Sequence, residues 1–371
     1  RFMPSDCEAI ASYLSSGIIK GIGKRMAEKI VDKFGEETLV ILENYPNKVC
    51  EINGISLQKA NKISKQLKEI INVKNLSENL KKYEISPEET IKIYINLGEN
   101  AIQMVEENPY ILCKNEINLD FEKVDIIAQK MNKSKDDINR IGEGIIHILK
   151  HNMKNGHTCL PIEKLVPVAS KFLNVSDDLV LEQIQDMTVK DKIKLQEFNE
   201  KKFIFTKKLY DSESYCAIRI KMILGYPFKA IKNIKNKIQR IEKQWKIEYS
   251  ESQKEAIKVA LSGGIFVLTG GPGTGKTTTL RAIIEILEAN GEKVFISAPT
   301  GRAAQRITEL SQKEAQTIHR LLEVHWDAME NPIFRKNEEN LLDCDALILD
   351  EASMVDLSLF EALIRALPLG A

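Results

Sequence analysis

Gly270-Gly271-Pro272-Gly273-Thr274-Gly275-Lys276-Thr277 is the stretch on which the reading of this chain turns. It fits G-x-x-x-x-G-K-[ST] without a gap, and each residue type has a chemical reason. Glycines let backbone N–H groups turn inward around phosphate oxygens, where side chains would obstruct. A helix starting near Lys276 adds the positive end of its dipole. Lys276 can reach the β- and γ-phosphates, and the Thr277 hydroxyl can ligate Mg²⁺. The flanks agree: Ile265-Phe266-Val267-Leu268-Thr269 reads as a buried strand by composition, and 277–289 as a helix.

Downstream, Val294-Phe295-Ile296-Ser297-Ala298 and Ala346-Leu347-Ile348-Leu349 read as two more strands. Strands alternating with helices imply a parallel sheet covered on both faces, in a three-layer α/β domain. The last strand runs into Asp350-Glu351. Asp350 is placed to hold magnesium, and Glu351 to orient and deprotonate the water that attacks the γ-phosphate. Either motif alone reads equally as a chance glycine loop or a solvated acidic pair. Both together, in order and correctly flanked, point to a nucleoside triphosphate bound with magnesium. The candidate catalytic residues are Lys276, Asp350 and Glu351. Gly271, Pro272, Gly273, Thr274, Gly275, Lys276, Thr277 and Thr278 would contact nucleotide, and Thr277 and Asp350 the metal.

Working toward the amino terminus, the texture becomes helical. Ile19-Lys20-Gly21-Ile22-Gly23-Lys24-Arg25-Met26-Ala27-Glu28-Lys29-Ile30 matches Ile52-Asn53-Gly54-Ile55-Ser56-Leu57-Gln58-Lys59-Ala60-Asn61-Lys62-Ile63 in register, a repeat of about 33 residues. Residues 76–150 read as a helical module punctuated by Pro87 and Pro109, with Ile138, Ile141, Ile145, Ile148 and Leu149 at helical spacing. In 151–211, two short helices precede a hairpin made of 192–195 and 203–205, which suggests a winged-helix-like module. Residues 212–248 read as a helical connector. Its lysines and arginine (Lys229, Lys232, Lys235, Lys237, Arg240, Lys243, Lys246) read as a solvated face in preference to a nucleic-acid contact, which stays the alternative. The expected division is therefore 1–75, 76–150, 151–211, 212–248 and 249–371.

Bulk properties narrow the class. At 371 residues the chain exceeds one ordinary core, and 43% hydrophobic with 29% charged residues is a soluble, globular balance. Net charge is zero, so any nucleic acid must be held by local basic patches. The six cysteines are too scattered for a zinc site or a disulfide scaffold, and reduced thiols are expected. No run of about 18 apolar residues occurs, and an apolar leader is missing, so a cytoplasmic location without membrane attachment is the expectation. The chain opens on Arg1 and stops at Pro368-Leu369-Gly370-Ala371 just past an amphipathic helix, which reads as a fragment.

With these motifs in place the sequence resembles the RecD-like branch of superfamily 1 DNA helicases, in its long, stand-alone form. Besides the glycine loop, the resemblance rests on Ala298-Pro299-Thr300-Gly301-Arg302-Ala303-Ala304, Thr317-Ile318-His319-Arg320-Leu321-Leu322 and Leu349-Asp350-Glu351-Ala352-Ser353-Met354-Val355-Asp356. It implies a multidomain protein: α-helical amino-terminal modules (a tandem helix-hairpin-helix pair over 1–75, then the winged-helix-like part), followed by an α/β RecA-like P-loop NTPase domain with a parallel sheet. It also implies truncation before a second motor domain. By the same resemblance Gln253 recognises adenine, Thr300 and Arg302 line the path of single-stranded DNA, and His319 lies in a further DNA-contacting motif. On the residues alone, Arg302 reads equally as an ion-pair former, Thr300 as a helix cap and His319 as structural. In a helix-hairpin-helix the Gly-Ile-Gly turn offers backbone N–H groups to a phosphate, which fits Gly21, Gly23 and Lys24. Ser56 replaces the second glycine in the other copy, where packing is the better reading. Such pairs also serve as scaffold or protein contact.

The function implied is an ATP-dependent DNA helicase, moving 5′→3′ on single-stranded DNA, unwinding duplex with a 5′ tail, and using ATP and Mg²⁺ in DNA repair and recombination. The alternative is a nucleotide-switched DNA-binding adaptor without unwinding, against which an intact Glu351 argues. A relaxase–helicase fusion is disfavoured because no nuclease-like His or Tyr cluster is present. Superfamily 1 motors take an arginine finger from the second domain, worth of order 10³ to 10⁵ in rate in related NTPases. Weak nucleotide binding and poor hydrolysis are therefore expected of residues 1–371 alone.

Overall fold

The computed structural model describes residues 6–114, 116–228, 230–271, 273–327 and 332–371. The chain forms two compact units, Arg1–His147 with Val166–Gln183, and Ile148–Leu165 with Ile184–Ala371.

The first unit opens with the repeat. Helices Cys7–Ser15, Lys24–Phe34, Thr38–Asn44 and Leu57–Leu80 enclose one core. Positions 33 apart are buried alike: Ile22 and Ile55, Ala27 and Ala60, Ile30 and Ile63. The turn glycines Gly21 and Gly54 take φ of +100° and +98°, a conformation closed to most side chains. A Cβ on Gly21 would lie 3.6 Å from Lys59 Cε, and one on Gly54 3.4 Å from Met26 Cε. Met26 and Lys59 are themselves 33 apart, so each copy's glycine faces the same position of the other, as across an internal two-fold axis. Farther along, Ser86 and Glu89 close a capping box on helix Pro87–Leu97, with Pro87 pre-setting the first turn. Helix Phe121–Lys130 is anchored through Asp125. Its carboxylate receives Arg140 Nε at 2.7 Å and Nη2 at 3.1 Å, and the Tyr110 hydroxyl at 2.7 Å. Arg140 is 7% exposed and also donates to the carbonyls of Lys135 and Leu173. Burial works to raise the Asp125 pKa, but the hydrogen bonds from Arg140 and Tyr110 and the guanidinium charge outweigh it and hold the carboxyl below its usual range. Along helix Ile138–Met153 the expected apolar face is buried except at Ile138, which is 61% exposed.

Helices Ile162–Leu173 and Asp177–Val189 precede strands Ile193–Phe198 and Lys201–Thr206, the order expected of 151–211. The hairpin turn is Asn199-Glu200, both at positive φ, matching the right-handed twist of a two-residue turn. A strand that escaped the sequence reading, Cys159–Pro161, pairs antiparallel with Lys201–Thr206 to complete a three-stranded sheet. The boundary between the compact units runs through this stretch, so residues 166–183 belong to the first unit and the sheet to the second. The expected connector is two helices rather than one, Lys207–Gly225 and Ile234–Trp245. Lys232, Lys235, Arg240, Lys243 and Lys246 are exposed as a solvated face requires, while Ile238 and Ile241 are buried. Lys229 lies outside the described residues.

The α/β part of the second unit is built on parallel strands. Val294–Ala298 is central, with Ala346–Leu349 on one side and the short Gln316–Thr317 on the other. Side chains alternate across it. Ile296 and Ile348 pack with Leu280, Ile284 and Ile307 of helices Lys276–Ala289 and Gly301–Ser311. Phe295, Leu347 and Leu349 face Ile318, Leu359 and Leu363 on the opposite side. The sheet is thus covered on both faces. The expected strand at 265–269 is a correction: this segment pairs with no strand among the described residues, and Val267 is 75% exposed. An apolar run favours extended backbone, but a ladder also needs a neighbour whose groups it can meet.

Candidate nucleotide site

The glycine loop leads into helix Lys276–Ala289, whose amino-terminal cap is Gly275 at φ +79°. That helix turns back through residues 290–293 into strand Val294–Ala298, so its amino terminus lies toward the carboxyl ends of the parallel strands. Asp350-Glu351 leaves strand Ala346–Leu349 at the same edge, and Thr300 to Arg302 leave strand Val294–Ala298 there. Ligands of open α/β sheets bind at this edge. The Asp350 N–H donates to the Ser297 carbonyl at 2.9 Å, which pins the acidic pair to the central strand. Asp350 is half-buried and Glu351 exposed. Glu351 has φ +51°, ψ +39°, a left-handed backbone rare for a glutamate and of the kind that collects at functional sites.

Inside the loop, the Thr274 hydroxyl donates to the Gly271 carbonyl at 2.9 Å, and Lys276 Nζ donates to the carbonyls of Gly270 and Gly271, the latter at 2.9 Å. Lys276 is thus folded onto its own loop. Gly273 is also at positive φ, +74°. Pro272 lies outside the described residues. Thr277 is half-buried at the helix start, Thr278 exposed, and Thr279 buried with its hydroxyl on the Gly275 carbonyl at 3.1 Å. A threonine hydroxyl and a carboxylate at one edge are hard oxygen donors that suit Mg²⁺, which takes few protein ligands and completes its shell with phosphates and water.

Three supports went unread in the sequence. Tyr249 is buried, and its hydroxyl donates to the Thr278 carbonyl at 3.3 Å. Burial first, and then the Glu285 charge, push that phenol up to about 12. Ser250 and Gln253 form a capping box on helix Glu251–Ala260. The S-x-x-Q spacing was its signal. Ser297, fully buried, holds strand order through its hydroxyl on the Gln316 carbonyl at 3.2 Å.

Of the residues assigned by resemblance, Gln253 lies against the loop, donating from Nε2 to the Thr274 carbonyl at 3.3 Å. Thr300 caps helix Gly301–Ser311 through the Ala303 N–H at 3.2 Å. Arg302 is exposed and forms no ion pair among the described residues. His319 is half-buried with its ring 6.4 Å from Phe334. Gly21, Gly23 and Lys24 are exposed and belong to the first unit. Gly23 provides no side-chain cap to helix Lys24–Phe34, whereas Ser56 caps the helix after it through the Lys59 N–H at 3.3 Å. Arg365 is bound by Glu361 at 2.6 Å and Glu338 at 2.9 Å and stacks on the Tyr215 ring.

Comparison with known proteins bears on both ends of the chain. An AAA domain model matches residues 253–371, and a model of the ATP-dependent RecD2 DNA helicase HHH domain matches 69–159. The whole chain aligns with the ATP-dependent RecD2 DNA helicase of Deinococcus radiodurans at 26% identity, covering 52% of that protein. Over its whole length the chain is thus similar to RecD-like helicases. The RecBCD enzyme subunit RecD of Mycolicibacterium smegmatis is 38% identical over 31% of the chain and 25% of its own length. The ATP-dependent DNA helicase dda of phage T4 is 35% identical over 33% of the chain and 29% of its own. The chain therefore spans about half the length of its RecD2 relative, and less of the others. The HHH model falls beyond the paired glycine turns, on residues 69–159, whose pattern by itself reads as a plain helical module.

Proposed function

We propose that this RecD-like chain carries the nucleotide half of an ATP-dependent DNA helicase that moves 5′→3′ on single-stranded DNA. What supports it most is the convergence of the loop helix and Asp350-Glu351 at one edge of a parallel sheet. Lys276 leaves the Gly270 and Gly271 carbonyls and turns to the β- and γ-phosphates, and the freed loop surrounds them with N–H donors. Thr277 and Asp350 would hold Mg²⁺, which when bound would neutralise charge on the phosphate oxygens. Glu351 accepts a proton from the attacking water and sets its line of approach. Exposed Arg302, beside the strand ends, suits a phosphate of the strand being tracked. His319, packed on Phe334, acts there as support.

The test is ATP turnover with and without single-stranded DNA, and strand separation on 5′- and 3′-tailed duplexes, in the full-length protein and Lys276→Ala. Turnover stimulated by single strands and unwinding from a 5′ tail only, both lost in the variant, are expected. ATP binding without stimulation or unwinding would leave a nucleotide-switched adaptor in its place.

A further inference from the structure

Both ends of the Gln253 amide are engaged. Oε1 accepts the Ser250 N–H at 2.9 Å, and Nε2 donates to the Thr274 carbonyl at 3.3 Å. The amide lies so close over Gly275 that a Cβ there would stand 2.3 Å from Nε2. Lys276 occupies the inside of the same loop through the Gly270 and Gly271 carbonyls. The loop is therefore held from within by a lysine and from outside by a glutamine.

A glutamine reads adenine with these same two atoms, the oxygen accepting from N6 and the nitrogen donating to N7. They cannot serve a purine and the loop together. We infer that Gln253 is a latch on the phosphate loop, released when it turns to a purine base, so that the base and polyphosphate halves of a nucleotide bind cooperatively. The inference rests on the nucleotide-site reading above. A ligand with phosphates alone meets a loop that is mostly latched, and its apparent affinity falls by the unlatched fraction. A ligand with a purine opens the latch as it binds. Gln253 is thus a positioning residue toward the phosphates, and it guards the site against free polyphosphate.

The test is competition of ATP and of inorganic tripolyphosphate against a fluorescent ATP analogue, with melting temperature recorded alongside. The proteins are the wild type, Gln253→Ala, Ser250→Ala and Lys276→Ala. Gln253→Ala is expected to bind ATP more weakly yet tripolyphosphate more tightly, by roughly two- to tenfold, the worth of one neutral hydrogen bond. Ser250→Ala lowers the melting temperature by loss of the cap but leaves tripolyphosphate affinity as it was. Unchanged, weaker or undetectable tripolyphosphate binding by Gln253→Ala would overturn the latch while leaving the site intact. If Lys276→Ala binds ATP like the wild type, the nucleotide site itself is wrong, and the latch goes with it.

Discussion

Gly275 carries two constraints at once. Its φ of +79° excludes ordinary side chains, and the Gln253 amide fills the space a Cβ would need. Gly275→Ala is expected to cost about 1–3 kcal/mol of stability through backbone strain. Denaturant titration checks this. Away from the loop, Asp125 is the countercharge of a buried arginine. Replacing it by Asn leaves the Arg140 guanidinium buried without its countercharge, a loss of about 3–5 kcal/mol. Because the folded Asp125 carboxyl lies below its unfolded value, its contribution is full above about pH 4 and fades as pH drops through the folded value. Denaturant titrations should show the gap between wild type and Asp125→Asn narrowing below about pH 4 and constant from pH 5 to 7. A gap that widened in acid would contradict the assignment.

The elements differ in how far they could be read beforehand. The loop and its helix were legible because glycine spacing and Lys276-Thr277 are local signals. The same holds for strands Val294–Ala298 and Ala346–Leu349, whose apolar runs sit beside each other in the sheet. Residues 265–269 carry as apolar a run and pair with nothing described, because composition records burial and is silent about neighbours. Strand Cys159–Pro161 was invisible for the opposite reason: three residues hold no period, and only Lys201–Thr206 makes them a strand. The Arg140–Asp125 pairing, fifteen residues apart, was equally beyond local pattern. Helix Lys24–Phe34 yields a prediction at this scale. Its amino terminus lacks a side-chain cap and is followed by exposed Lys24 and Arg25. If the first hairpin meets a phosphate backbone, Lys24→Ala with Arg25→Ala lowers duplex affinity and reduces the slope of log K against log salt by about two, with melting unchanged. An unaltered slope would leave the hairpin as scaffold.

At the scale of the whole molecule, no helix among the described residues is long and apolar enough to cross a membrane. Arg365 is engaged by two glutamates and an aromatic ring. The paired glycine turns carry a further consequence. Each copy closes the other's concavity, Lys59 over Gly21 and Met26 over Gly54, as two subunits do in an isologous dimer. Ile22, Ala27 and Ile30 share one core with their counterparts Ile55, Ala60 and Ile63, so neither copy's apolar face is closed by that copy alone. Inner positions are thereby held to one pattern, while Lys24 and Leu57, exposed outside that core, are free to differ: the two halves match where the chain meets itself and diverge where it meets solvent.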